Sequence, residues 1–173
     1  LTGAGAKEDS DSRIFWKTAE LLMTCAILDR LWHGKRPEDR SLPGVFRMLT
    51  ERGKTPEQIR DAIVERSPKS AEHHANRLAL VDVKKGILQG GFENLLEVIS
   101  YCGDETIARN LEVSDFRLSD LSQGSRPLSL YLAFPFADAD ILKPLARLMT
   151  NMLIASHLRT PRHTQQTVYL LDE

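Results

Sequence analysis

The sequence predicts a mainly α-helical chain, a helical bundle that closes on one strand–helix–strand unit, and three observations carry that expectation. Apolar residues recur at three- and four-residue spacing through the first two thirds of the chain, and capping residues open segment after segment. Two short apolar runs near the end, Leu128 to Phe134 and Val168 to Leu171, break that period and read as strands.

The first helix is expected from Arg13 to about His33, after the capping pair Asp11-Ser12, with Phe15, Ala19, Leu22 and Ala26 on its apolar face. Gly34 ends it, and Lys35 to Arg40 reads as a loop. Ser41 and Pro43 open a short helix closed by Gly53, and Thr55-Pro56-Glu57 opens the next. Ser67-Pro68 starts a longer helical stretch reaching Tyr101, which Gly90-Gly91 is expected to kink or break, each glycine costing ~1 kcal/mol in a helix interior. Asp104 caps a helix to about Leu111. Pro127 and Pro135 bound the first strand, residues 138–158 return to helical spacing, and the second strand follows a polar loop. Strand, helix and strand in that order make a crossover that joins parallel strands.

Composition narrows the functional classes. Hydrophobic residues make up 42% and charged residues 27% of the 173, too apolar for a disordered tail. No run approaches the ~18 apolar residues of a membrane span. With 23 basic against 24 acidic residues the net charge is −1, which excludes a binder that works by its global field. Cys25 and Cys102 read as reduced thiols, Cys25 as core packing. The chain opens at Leu1 with neither an initiator methionine nor a signal peptide, and is expected to be a piece of something longer.

Charge is unevenly placed. Residues 41–90 carry nine basic and six acidic residues, and residues 91–128 carry three basic and seven acidic. Arg60, Arg66, Lys69, Arg77, Lys84 and Lys85 form the basic block, which is either a solvated helical face or a phosphate-contacting surface. On a straight helix Arg77, Lys84 and Lys85 would share one side. Trp16 and Trp32 read as core or interface anchors. His73 and His74 are adjacent, a spacing that points them about 100° apart on a helix and suits no shared metal. The second strand runs directly into Asp172-Glu173, the Walker B arrangement of nucleoside triphosphatases. There the aspartate holds the water shell of Mg²⁺ and the glutamate orients the attacking water. The sequence has no G-x-x-x-x-G-K-[ST] loop, so the chain is expected not to hydrolyse ATP by itself.

Several segments together resemble a known family. Phe15-Trp16 with Ala19-Glu20-Leu21-Leu22 resembles the "FW…AE.LL" helix of the type IV secretion coupling proteins, the TraG/TraD-like conjugative DNA-transfer ATPases. Ser114-Asp115-Phe116, Leu118 and Asp120-Leu121 are similar to their "SDF.L.DL" segment. Tyr131-Leu132, Pro135, Leu142, Pro144-Leu145 and Arg147-Leu148 resemble the strand and helix that follow it. Lys69-Ser70 stands where many members carry "KS", and Val168 to Glu173 matches their Walker B strand. The resemblance implies residues 1–12 as a linker, 13–122 as an all-α substrate-recognition domain inserted in a RecA-like ATPase, and 127–173 as part of the nucleotide-binding domain. It implies a homo-hexamer at the cytoplasmic face of the bacterial inner membrane, using ATP and Mg²⁺ in the intact protein, with no cofactor for this piece alone. Asp172 would serve the metal and Glu173 the water. Implied partners are secretion channel components and a DNA–relaxase complex or a secreted effector or adaptor. Single-stranded DNA contact by the basic block stays open beside a purely protein-docking role.

Overall fold

Helix α1 spans Gly3–His33 and is the strut of the first part of the chain. Its start lies earlier than expected: Asp11 and Ser12 sit inside it rather than capping it. Extending a formed helix gains one backbone hydrogen bond per residue fixed, and Ala4, Ala6, Lys7 and Glu8 are good helix formers. Its C-terminal end at His33 is as expected, with the Gly34 amide donating to the Arg30 carbonyl at 2.9 Å. The computed structural model describes residues 3–83, 85–123, 128–135, 138–159 and 168, in two units, Leu1–Val113 and Ser114–Glu173.

In the first unit α2 (Leu42–Leu49), α3 (Pro56–Glu65), α4 (Glu72–Ala79), α5 (Ile87–Val98) and α6 (Glu105–Glu112) complete the bundle. The capping signals act as read, although α2 closes at Thr50 rather than at Gly53, and Pro37–Arg40 forms a short 3-10 helix within the expected loop. Ser41 Oγ accepts from the Gly44 amide at 3.1 Å. Thr55 Oγ1 accepts from the Gln58 amide while Gln58 Oε1 accepts from the Thr55 amide, a reciprocal capping box. Asp104 Oδ1 takes the amides of Thr106 and Ile107. The core gathers Leu22 and Ala26 of α1, Ile63 of α3, Leu78 of α4 and Leu88 and Phe92 of α5, each at most 2% exposed.

The long stretch to Tyr101 is interrupted at residues 80–86, not at Gly90-Gly91. Gly86 adopts φ +68°, a left-handed turn that only glycine enters without steric cost, and α5 starts after it. Gly90 and Gly91 stay helical because their missing side chains let α5 lie on α1. A Cβ on Gly90 would fall 2.8 Å from the Phe15 ring, and one on Gly91 2.5 Å from the Thr18 methyl. Close packing along this seam offsets the helix-propensity cost.

In the second unit α7 covers Asp120–Gln123 and α8 Ala139–Arg159, the latter over the expected span and burying Leu142 and Leu145. Ser114 Oγ donates to the Phe116 carbonyl, and Asp120 Oδ2 accepts from the Arg117 amide, so the "SDF.L.DL" residues build a turn. The first expected strand is not formed. Residues 128–135 are neither helical nor paired, since a strand requires a neighbour to take its backbone hydrogen bonds and none does so among the described residues. Of the second expected strand only Val168 is described. The described residues of the strand–helix–strand unit therefore contribute its helix, and the chain is mainly α.

Candidate functional site

The basic block resolves into residues with different jobs. Arg60 is nearly buried, its side chain 14% exposed; it pairs with Asp61 at 2.7 Å and donates to the Val81 carbonyl at 3.5 Å. It holds the 80–86 connection against α3. Arg66 ends α3 and reaches Asp29 Oδ1 of α1 at 3.2 Å. Asp29 is buried to 2% side-chain exposure, and its other oxygen takes Nη2 of Arg30 at 2.6 Å and Nε at 3.1 Å. The Arg66 contact is an ion pair rather than an aligned hydrogen bond, leaving Oδ1 without a hydrogen-bond donor. His33 Nε2 donates to the Arg66 carbonyl at 2.8 Å, so the ends of α1 and α3 are tied twice.

Lys69 is exposed in the helical turn before α4, and Arg77 is exposed on α4 itself. Lys85 lies in the 80–86 connection, 3.7 Å from Asp82. Lys84 lies outside the described residues, as do Asp172 and Glu173. Arg77 and Lys85 do not share the side of one straight helix, because the chain leaves α4 at Leu80 and turns before α5 begins.

The exposed apolar residues define a second feature. Ile14, Lys17, Thr18 and Leu21 of α1 and Arg77 and Leu80 at the end of α4 line an open groove of about 250 Å³. Leu80 is 84% exposed, and Ile14 is exposed beside it. Trp16 and Trp32, at 48% and 59% exposure, are surface residues and not part of the core. Ile14, Lys17, Thr18 and Leu80 are the groove residues that sequence reasoning passed over. A signal exists for Leu80: Leu78-Ala79-Leu80-Val81 puts more apolar residues at the end of α4 than one helix face can bury.

Cys25 and Cys102 are buried thiols pushed up to about 11 by desolvation, with the Arg77 guanidinium partly opposing the shift at Cys25. His73 and His74 meet edge to face at 5.6 Å, and no cluster of metal-ligating side chains occurs among the described residues. No helix among those residues is long and apolar enough to cross a membrane.

Comparison with known proteins gives a consistent result. The family described as type IV secretory system conjugative DNA transfer matches residues 10–173. Two curated relatives, each a "Conjugal transfer protein TraG" from Escherichia coli, are 30% and 26% identical over 146 residues. That overlap is 80% of this chain but 22% of each relative, so the chain spans about a fifth of their length. No solved structure matches it significantly.

Proposed function

This chain belongs to the type IV secretory system conjugative DNA-transfer family, and on that premise we propose that its helical unit is the substrate-recognition region of a coupling ATPase. It recruits transfer substrates, DNA–relaxase complexes or protein effectors, to the secretion channel. The observation that carries this reading is the family match over residues 10–173, which takes in both the helical unit and the acid pair Asp172-Glu173. In the intact protein, read as a homo-hexamer at the cytoplasmic face of the inner membrane, ATP with Mg²⁺ supplies the driving chemistry. Asp172 would hold the metal's water shell and Glu173 would orient the attacking water.

Docking of protein is the better-supported form of recruitment. Arg60 and Arg66, two of the basic residues a DNA-contacting surface would use, are committed to Asp61 and Asp29. The exposed Trp16, Trp32 and Leu80 are of the kind that anchors protein interfaces. The test is Glu173→Gln in the intact protein, expected to leave ATP binding in place and stop hydrolysis. The isolated chain should hydrolyse nothing above background. Turnover by the isolated chain that disappears with Glu173→Gln would sink the assignment.

A further inference from the structure

The open groove between α1 and α4 carries an inference that rests on the docking reading and makes it specific. Its volume of about 250 Å³ is below the ~300–1,000 Å³ of small-molecule sites, so it seats one or two side chains rather than a metabolite. The apolar lining is aliphatic, from Ile14, Leu21 and Leu80, and offers no ring on which a base could stack. Two cations flank it, Lys17 from α1 and Arg77 from α4. Both are exposed, and unlike Arg60 and Arg66 neither is held in an ion pair among the described residues. An exposed leucine in a groove that two uncommitted cations also line is complementary to an apolar side chain flanked by carboxylates.

We propose that this groove receives an acidic amphipathic segment of a partner protein, with an apolar side chain set against Leu80 and carboxylates paired to Lys17 and Arg77. Leu80, Lys17 and Arg77 all project to solvent, so substituting them leaves the core of the bundle intact.

The test selects binders from a displayed library of random peptides on the full chain. The expected consensus has leucine, isoleucine or phenylalanine at helical spacing with flanking aspartate or glutamate. Binding of a selected peptide should fall roughly tenfold with Leu80→Ser, as expected for losing one buried leucine contact. It should fall by about fivefold or more with Arg77→Glu, and a peptide with its glutamates changed to lysine should recover binding to that variant. Circular dichroism of each variant should match the unsubstituted chain. Absence of enrichment, a basic consensus, or peptides that bind both variants undiminished would overturn the proposal. So would short oligothymidylate binding that Arg77→Glu abolishes and Leu80→Ser leaves untouched, which would make the groove a nucleic-acid contact. If Trp16→Ala and Trp32→Ala lower substrate transfer by the intact protein while Leu80→Ser and Arg77→Glu do not, the groove is wrong and the docking reading stands.

Discussion

Where α1 meets α5, the backbones approach so closely that a Cβ on Gly91 would lie 2.5 Å from the Thr18 methyl, whereas beside α4 the same helix leaves Leu80 84% exposed. Both regions use ordinary aliphatic residues. They differ in what α1 presents: Phe15 and Thr18 close onto two glycines on one side, and Ile14, Lys17 and Leu21 border an open groove on the other. The contrast is sharpest within α4 and its cap, where Leu78 is 0% exposed and Leu80, two residues on, faces water. One region holds the bundle together, and the other leaves apolar surface uncovered.

Substitutions can break or sharpen this division. The largest effect is expected from Leu78→Ala, about 2–5 kcal/mol lost in urea unfolding, because the buried leucine leaves a cavity. A loss under ~0.5 kcal/mol, the range of surface changes, would mean that the α4 packing is wrong. Asp29→Ala should cost about 2–3 kcal/mol, under the full ~3–5 of a buried pair because the freed arginines Arg30 and Arg66 still reach solvent. An unchanged midpoint there would show that the tie between α1 and α3 adds no stability.

On the seam, Gly91→Ala should destabilise by about 1–2 kcal/mol, overpacking against buried Thr18 outweighing the ~1 kcal/mol helix gain. Gly90→Ala should be near neutral, within about 0.5 kcal/mol, since the half-buried Phe15 ring can swing aside. Equal effects at the two glycines would contradict the distinction between a yielding Phe15 ring and a fixed Thr18. The smallest effect belongs to Leu80→Ala, within about 0.5 kcal/mol of the unsubstituted chain.

Much of the helical unit was legible in the sequence because its signals are local. Ser41, Thr55 and Asp104 cap the helices they were read to cap, and the spacing of Leu22, Ala26 and Leu78 marks the buried faces. Gly90-Gly91 was misread because propensity counts a glycine's cost, while its benefit depends on Phe15 and Thr18, more than seventy residues away. The interruption at Gly86 needed a backbone angle that no spacing reveals. The strand at 128–134 failed for a related reason: a short apolar run between prolines marks a candidate strand, but only a paired neighbour makes one. At the candidate site, the basic block was visible as charge, yet charge alone could not separate Arg60 and Arg66, locked to aspartates, from Arg77, beside an open groove. Ile14, Lys17 and Thr18 entered only through tertiary placement, while the apolar excess at residues 78–81 marked Leu80 without showing that it faces a groove.

The proposed function separates recognition, on the open surface of the helical unit, from hydrolysis at the acid pair Asp172-Glu173. Substrate transfer and ATP hydrolysis, measured side by side in the intact coupling protein, test it directly. Trp16→Ala, Trp32→Ala and Leu80→Ser combined should lower transfer by about tenfold or more, as loss of interface anchors does, with hydrolysis unchanged. Glu173→Gln should abolish both. Transfer that survives the triple substitution, or hydrolysis that falls in step with it, would contradict the separation of the two functions.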